Sequence, residues 1–302
     1  MKRRLRFSIA TVVTLLCALE SRAQATRTFI SGVGDDVNPC SQTAPCRTFA
    51  GTIVKTAAGG EIDVLDSGGF GSVTITKSVS IVNRGAIGGV LVTGTNGIVV
   101  QTAATDVVVL QGLSIEGVGT GLIGVESEGA GALYVEDCTI NGFGGQGIAF
   151  TPPGGGRLFI ERTIVRNNTG YGILIKPSGG SAVASIDATH VENNLAGIRA
   201  EDNSVVTISN SVAASNTNSG FVAVSNSSPA SITIDHSISS GNRVGVNVSG
   251  TGALARITAV TATSNTTGLG TTGGTGQIVS FGNNRVSGNA TDGAPTLTVP
   301  QI

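Results

Sequence analysis

Apolar and polar positions recur at short, nearly constant intervals over the second half of the chain. An apolar residue is followed eight positions later by an asparagine, and successive units start 22 to 26 residues apart. Around each unit the apolar positions alternate with polar ones, which is the period of a half-buried β-strand. The eight-residue pairs are Ile160 and Asn168, Ile186 and Asn194, Ile208 and Asn216, Ile234 and Asn242, Ile257 and Asn265, and Phe281 and Asn289.

A second column, formed by a glycine followed by an apolar residue, runs in step with the first. Val135 and Val109 extend the first column backwards, at intervals of 25 and 26 residues. Helical repeats need about 33 to 47 residues, and the frame of leucine-rich repeats is missing. The pattern therefore predicts a coil of parallel strands in which each turn, or rung, stacks about 4.8 Å above the last. The second column consists of Gly147-Ile148, Gly172-Ile173, Gly197-Ile198, Gly220-Phe221, Gly245-Val246 and Gly268-Leu269.

The asparagines have a physical role in such a coil. If every rung turns at the same place, each asparagine lies directly over the previous one. Asparagine tolerates the left-handed turn conformation and can hydrogen-bond both the backbone and a neighbouring amide. The asparagines are therefore expected to form a ladder along the coil, and the glycine that follows is expected to start the next strand.

The N-terminal segment is typical of an export signal. Residues 1–6 are mostly basic, residues 7–19 form an apolar run too short to span a membrane, and a small-x-small cleavage sequence ends at Ala25. Residues 1–25 are thus predicted to be a signal peptide, and the protein is predicted to be secreted or periplasmic. No later stretch is long and apolar enough to span a bilayer.

Cys40 and Cys46 lie six positions apart, each preceded by a proline. In an oxidising compartment they are expected to form a disulfide that closes a small loop. A metal site is the alternative, but the other ligands of a tetrahedral site are not evident. Cys138 is left over and is interpreted as a small buried hydrophobic residue.

Composition narrows the class of protein. The 302 residues include 45 glycines and no tryptophan, and the apolar residues are mostly Val, Ile and Ala mixed with Thr, Ser and Asn. This mixture is typical of strands and turns. The net charge of −1 supplies no basic field, so nucleic-acid binding is not expected.

The ladder, the glycine column and the opening segment together resemble the right-handed parallel β-helix superfamily, often called pectin-lyase-like. The resemblance implies an all-β fold, a single-stranded right-handed parallel β-helix with a short N-terminal capping helix. It predicts a disulfide loop and helical cap over residues 26–60, and a coil of about nine rungs, roughly 45 Å long, over residues 61–302. One side of the predicted capping helix carries Phe49, Ile53, Val54 and Ala57.

The positions on either side of the inward apolar column point outward. The position after it is a carboxylate on three successive rungs and again two rungs later, and the position before it is aromatic on two successive rungs. Two arginines and a histidine lie in the same units. The candidate catalytic residues are Glu161, Arg162, Arg166, Asp187 and His190, and the candidate binding residues are Tyr134, Glu136, Phe159 and Asp235.

Three interpretations of this face remain open. Carboxylates on adjacent or next-but-one rungs would lie about 5 or 10 Å apart, near the separations of retaining and inverting glycosidases. Alternatively, the carboxylates would hold Ca²⁺ against an acidic sugar while Arg162 or Arg166 acts as the base of a lyase. The second interpretation is a binding surface without catalysis, and the third is an ordinary solvated strand face.

The Trp-containing strand motif of the superfamily's pectate lyases is absent, so no family catalytic residue is assigned. The sequence predicts a secreted β-helix protein that interacts with carbohydrate and leaves open whether it is an enzyme; if it is one, a polysaccharide lyase or a glycoside hydrolase is expected. A non-catalytic structural or adhesive surface protein is the alternative. The expected partner is a polysaccharide or a cell-surface glycan, and Ca²⁺ is the one cofactor that the carboxylates suggest.

Overall fold

The computed structural model describes residues 24–129 and 131–300, and these residues wind into a coil of parallel strands. The predicted signal peptide over residues 1–25 lies outside the described residues, except for Gln24 and Ala25. Each full rung contributes one strand to each of three sheets, named sheets one, two and three in the order in which a rung passes through them. The all-β coil of about nine rungs predicted from the repeat is confirmed.

All neighbouring strands within a sheet pair in parallel across successive rungs. Over the described residues, the strands of sheet one are Ala25–Ile30, Thr56–Val64, Val79–Val82, Val107–Gln111, Ala132–Glu136, Gly156–Glu161, Ala182–Asp187, Ser204–Ser209, Ala230–Asp235, Ala253–Thr258, Gln277–Ser280 and Leu297–Thr298. Those of sheet two are Gly68–Gly69, Gly88–Leu91, Leu113–Glu116, Thr139–Asn141, Ile164–Arg166, His190–Glu192, Val212–Ala214, Ile238–Ser240, Thr261–Thr263 and Arg285–Val286. Those of sheet three are Val73–Ile75, Ile98–Val100, Val125–Ser127, Ile148–Phe150, Ile173–Ile175, Ile198–Glu201, Ser219–Val224, Val244–Ser249 and Thr267–Thr272.

The two apolar columns predicted from the repeat form much of the core. Two assignments in the first column are wrong by one residue, because Leu110 rather than Val109 follows the register of Val135, and Ser280 rather than Phe281 follows that of Ile257. The first error arises in an apolar run where alternation does not show which residue points inward. The second arises because the last rung has one extra residue before its asparagine. The buried members that keep the predicted register are Ile160, Ile186, Ile208, Ile234 and Ile257 in sheet one, and Ile148, Ile173, Ile198, Phe221, Val246 and Leu269 in sheet three.

The asparagine ladder lies at the turn between sheets two and three. The side-chain amide of Asn168 donates to Oδ1 of Asn194 at 2.9 Å, and the backbone N–H of Asn168 donates to the same oxygen at 3.1 Å. The same pattern continues through Asn216, Asn242, Asn265 and Asn289. The carboxylate of Asp292 closes the ladder by accepting from the N–H and the amide of Asn289 at 3.0 and 2.9 Å.

The two asparagines of each Asn-Asn pair have different roles in this turn. Asn167 and Asn193, the first of each pair, have φ values of 56° and 54° and make the left-handed turn. Asn168 and Asn194, the second of each pair, are buried and form the ladder. Ser215 and other residues take the first position on later rungs with a similar φ, so only the second asparagine is fixed by the repeat.

A second buried ladder, made of hydroxyls, lies at the turn between sheets one and two. The backbone N–H of Thr189 donates to the hydroxyl of Ser211 at 3.1 Å, and the N–H of Ser211 donates to that of Ser237 at 3.1 Å. Cys138 occupies the same place at the N-terminal end, where its N–H donates to the Thr163 hydroxyl and burial raises the pKa of its thiol to about 12. The interpretation of Cys138 as a buried thiol is confirmed.

The disulfide loop covers the first edge of sheet one. Cys40 and Cys46 are joined as predicted. The N–H of Phe29 donates to the carbonyl of Cys40 at 2.8 Å, and the N–H of Cys46 donates to the carbonyl of Phe29 at 3.0 Å. The loop therefore satisfies backbone groups that an edge strand would leave unpaired, and the disulfide indicates an oxidising compartment.

The capping helix is shorter than predicted. It spans Phe49–Ile53 and begins where the hydroxyl of Thr48 accepts from the N–H of Gly51 at 2.9 Å. Phe49 and Ile53 are buried as expected, but Val54 is exposed and Ala57 belongs to the strand Thr56–Val64. The helix ends early because the chain from Thr56 onwards pairs with sheet one. That strand crosses the predicted domain boundary at residue 60.

Helices long and apolar enough to cross a membrane are not found in the parts of the chain that the structure describes.

Candidate functional site

The outward face of sheet one carries most of the side chains predicted to form a site. Tyr134 lies opposite Phe159, and Glu136 lies opposite Glu161, in the register of adjacent strands. Two outward columns are named here by their first members. The aromatic column is Tyr134, Phe159, Ser185, Thr207, Thr233 and Arg256, and the carboxylate column is Glu136, Glu161, Asp187, Ser209, Asp235 and Thr258.

The rings of Tyr134 and Phe159 stack on one another along the coil axis. Their centroids lie 4.6 Å apart and their planes differ by 11°, and stacked aromatic pairs are worth about 0.5 to 1.5 kcal/mol beyond burial. The next member of the aromatic column, Ser185, is small and exposed. The side of Phe159 that faces Ser185 therefore has no ring stacked against it and is open to an apolar ligand face.

A shallow depression of about 310 Å³ lies beside the aromatic pair. Adjacent parallel strands are about 4.8 Å apart, so the three carboxylates of the depression follow one another at about that spacing. The depression brings together five of the nine predicted catalytic and binding residues. Its lining consists of Tyr134, Glu136, Phe159, Ile160, Glu161, Ser185 and Asp187.

Arg162 lies at the rim and is bound to carboxylates of the chain itself. Its Nε and Nη2 donate to the two oxygens of Asp137 at 2.7 and 3.1 Å, and its Nη1 contacts Glu161. The hydrogen bonds with Asp137 raise the pKa of Arg162 and lower that of Asp137. A guanidinium held in this way orients Glu161 and keeps its own proton more tightly than a free arginine does.

Asp187 is held in its ionised form by its neighbours. The hydroxyl of Ser209 donates to its Oδ1 at 2.6 Å, and the amide of Asn210 donates to the same oxygen at 2.8 Å. These hydrogen bonds lower the pKa of Asp187 below its ordinary value. Its chemistry at neutral pH is therefore that of a hydrogen-bond acceptor, a base or a nucleophile rather than that of an acid.

The remaining predicted residues lie elsewhere on the surface. Asp235 is two strands beyond Asp187 in the carboxylate column, and its Oδ1 is 2.8 Å from Nδ1 of His236. Arg166 and His190 lie on sheet two, around the turn from the depression. There Arg166 pairs in register with Glu192, whose carboxylate is 3.5 Å from Nδ1 of His190.

Sequence reasoning missed Asp137, Ser209 and Asn210, although the repeat contains the signal. Asp137 and Arg162 each lie two positions after the inward residue of their rung, and so the register places them at the same turn of adjacent rungs. Ser209 is in the predicted carboxylate column, next to Asp187. Counting every position from the inward residue would have found both pairs.

A buried ion-pair cluster on sheet three was also missed. Glu201, whose side chain is 5% exposed, lies 2.7 Å from Lys176 and 2.7 Å from Arg199. Burial opposes ionisation of Glu201, but hydrogen bonds from Lys176 and Arg199 bring its pKa below the ordinary value. Lys176 and Glu201 each stand four positions after the glycine of the second column. Both carboxylate oxygens of Glu201 accept hydrogen bonds from protein groups, one of which is the amide of Asn226. The cluster is therefore structural.

Among the described residues, no group of three or more His, Cys, Asp or Glu is arranged to hold a metal ion. The carboxylates of the depression follow one another along one sheet, and the guanidinium of Arg162 already contacts a carboxylate oxygen of Glu161. These positions do not converge on a point as the six to eight oxygen ligands of Ca²⁺ do.

Comparisons with known proteins agree with the coil. None of the curated proteins matches the chain in sequence. A solved structure of pectate lyase Pel9A is similar in fold, with a TM-score of 0.59 and 13% identity over 87% of this chain and 79% of that chain. An alginate lyase from Paenibacillus sp. str. FPU-7 has a TM-score of 0.49 and 15% identity over 91% of this chain and 98% of that chain. The family model of the right-handed β-helix region matches residues 88–267, more than half of the chain, and the protein therefore belongs to the right-handed parallel β-helix family.

Proposed function

We propose that this protein binds a polysaccharide chain along sheet one, at the depression beside Tyr134 and Phe159. The observation that carries the proposal is the open side of the Phe159 ring in line with three carboxylates. A sugar ring has an apolar C–H face and hydroxyl edges. The aromatic ring can take the face, and the carboxylates can accept strong hydrogen bonds from the hydroxyls.

The fold similarity to a pectate lyase supports carbohydrate as the class of ligand. Parallel strands also offer the ligand the same kind of position at regular intervals, which suits a polymer better than a single small molecule. The depression is shallow and is bounded by short turns. This shape favours binding of a ligand along an extended surface over binding in a deep cleft.

Catalysis on the bound chain is the second candidate, and one observation favours it. Glu161 and Asp187 lie on adjacent strands, about 4.8 Å apart by strand spacing, near the separation of the two carboxylates in retaining glycosidases. Asp187, held ionised, would be the nucleophile or base. A lyase would instead need Ca²⁺ on these carboxylates. A structural or adhesive role is the alternative if neither reaction occurs.

Export is part of the proposal, because the disulfide suits an oxidising compartment. We expect residues 1–25 to be removed and the protein to be secreted or periplasmic. Sequencing the N-terminus of protein from the periplasm and the medium tests this. A chain that starts at Thr26 agrees with the proposal, and a chain that keeps Met1 and stays in the cytoplasm contradicts it.

Affinity electrophoresis in gels that contain single polysaccharides tests the binding site. The panel includes xylan, mannan, pectate and alginate, each run with EDTA and with Ca²⁺. Phe159→Ala is expected to weaken binding about tenfold, or about 1.4 kcal/mol, because it removes the stacking surface. The matched control is Ile238→Ala, which removes an exposed aliphatic side chain from sheet two. Absence of retardation by every polysaccharide would overturn the proposed function.

Release of reducing ends from the polysaccharides that bind, together with absorbance of unsaturated products, tests for turnover. Reducing ends alone indicate a hydrolase, and reducing ends with unsaturated products indicate a lyase. We expect Glu161→Gln or Asp187→Asn to abolish such turnover. Binding without any product leaves a non-catalytic glycan-binding protein.

A further inference from the structure

The depression offers a ligand carboxylates and no free cation. None of the described residues that line it is basic, and three of them are Glu136, Glu161 and Asp187. Arg162 at the rim is bound to Asp137 and Glu161. A ligand group that reaches Glu136, Glu161 and Asp187 therefore meets three negatively charged hydrogen-bond acceptors, and the hydroxyls of Tyr134 and Ser185 are the uncharged donors of the lining.

Arg157 and Arg256 also lie on sheet one, and both are distant from the carboxylates of the depression. Arg157 precedes Glu161 by four positions in the same strand, about 13 Å at the rise of a strand. Arg256 is three strands beyond Ser185 in the aromatic column, about 14 Å at strand spacing. Exposed charges are largely screened beyond about 8 to 10 Å at physiological ionic strength. Neither arginine therefore offsets the three carboxylates locally.

We infer that the depression selects an uncharged glycan and excludes polyuronates, an inference that rests on the proposed function. A neutral sugar brings O–H donors, and each can give a charge-assisted hydrogen bond to Glu136, Glu161 or Asp187. A polyuronate carries a carboxylate on every sugar, so several of these groups must pass the carboxylate column. There they meet like charge and find no cation in the lining, which costs binding energy.

Matched polymers that differ only in charge test this selection. The probes are polygalacturonate and alginate, each beside its carboxyl-reduced form, in affinity electrophoresis with EDTA to remove bridging divalent cations. Xylan and mannan extend the uncharged set. We expect the uncharged polymers that bind to do so at least about tenfold more tightly than either polyuronate, about 1.4 kcal/mol. The difference should shrink at about 0.5 M NaCl, because salt screens the repulsion.

A charge variant tests whether the carboxylate column is the cause. Glu136→Gln together with Asp187→Asn removes two negative charges, keeps the shape of both side chains and leaves the Arg162 ion pairs in place. We expect this double variant to bind polygalacturonate more tightly than the unaltered protein does. The matched control is Glu126→Gln with Glu128→Gln, in and directly after the strand Val125–Ser127 of sheet three, which changes the net charge equally and should leave polygalacturonate binding unchanged.

The outcomes separate this inference from the proposed function. Tighter binding of an uncharged polymer, with a gain for polygalacturonate in the charge variant alone, agrees with both. Equal or tighter binding of a polyuronate in EDTA overturns the selection for uncharged glycans while leaving carbohydrate binding intact. An equal gain in the control variant assigns the effect to net charge and overturns the role of the depression. Failure of every polymer to bind overturns the proposed function and the inference together.

Discussion

Two columns of residues, the asparagine ladder and the aromatic column, run along this coil with the same period and under different constraints. The ladder keeps asparagine on six successive rungs, from Asn168 to Asn289, and all of them except Asn289 are buried. The exposed aromatic column changes over six rungs from two rings to hydroxyls and then to Arg256. A buried amide must bond the rungs on both sides because no water reaches it, whereas an outward side chain can bond water. Identity along a buried column therefore reports the fold, and variation along an exposed column marks where the surface can carry a local function.

The largest expected effect comes from placing a charge inside the coil. Ile186→Asp puts a carboxylate at a fully buried position between Ile160 and Ile208. We expect it to unfold the coil, at a cost of more than about 4 kcal/mol, because no partner is available for the charge. Circular dichroism and thermal melting measure the loss of strand structure.

The control for this substitution is one residue away. Ser185→Asp adds the same side chain at an exposed position of the same strand, and the melting temperature should change little. A native spectrum and melting temperature for Ile186→Asp would contradict the inward register of sheet one.

The next effect compares the two members of one asparagine pair. Asn194→Ala removes the acceptor of Asn168 and the donor to the carbonyl of Glu192 at 2.9 Å. Each buried group left without a partner costs about 1 to 3 kcal/mol, so the free energy of unfolding should fall by about 3 kcal/mol or more. Asn193→Gly, in which φ is 54° and the side chain is exposed, should change it by less than about 0.5 kcal/mol. Denaturant unfolding that gave equal losses for the two variants would contradict the division of roles.

The ladder was predictable because its constraint repeats on every rung. One asparagine per rung, at a fixed distance from an inward isoleucine, leaves a periodic signal in a single sequence. Where that distance changed, as between Ser280 and Asn289, the prediction slipped by one residue. The hydroxyl ladder was missed because Cys138, Thr163, Thr189 and Ser211 satisfy the same geometry with different residues, so no one residue type recurs on every rung.

A smaller effect is expected from the hydroxyl ladder. The Ser211 hydroxyl accepts from the N–H of Thr189 at 3.1 Å and donates to the carbonyl of Ser209 at 2.7 Å, and the side chain is buried. Ser211→Ala should lower the free energy of unfolding by about 1 to 2 kcal/mol, because the N–H of Thr189 loses its partner. Ser209→Ala, at a position where water can replace the lost bond to Asp187, should stay within about 0.5 kcal/mol. A larger loss for Ser209→Ala than for Ser211→Ala would reverse the comparison.

The candidate site was predictable only in part, because an outward residue can differ from one rung to the next without changing the fold. Alternation placed Tyr134, Phe159 and Glu161 on one face, and the structure groups them in one depression. Chain proximity also suggested Arg166 and His190, but a tight turn carries the chain onto sheet two between Glu161 and Arg166. Nearness in sequence is a poor guide in a coil, where residues one rung apart are closer in space than residues across a turn.

The smallest effect on stability should accompany a large effect on binding. Ser185→Phe places a third ring next to Phe159 in the aromatic column, where the side chain is exposed and the register is fixed. The added stacking is worth at most about 1.5 kcal/mol, so the melting temperature should stay equal or rise slightly. Glycan binding should be lost, because the new ring occupies the open side of Phe159 that the sugar is proposed to use.

The control for this substitution lies in the same column, two strands further along. Thr233→Phe adds the same ring at an outward position whose neighbours are Thr207 and Arg256, away from the lining of the depression. Its binding of the same polysaccharide should equal that of the unaltered protein. If Ser185→Phe retained binding, the sugar would have to stack on the new ring or lie elsewhere on the coil, and the open side of Phe159 would not be its site. If both variants lost binding, the ligand would have to extend over the whole face, and the special role of the aromatic pair would fall.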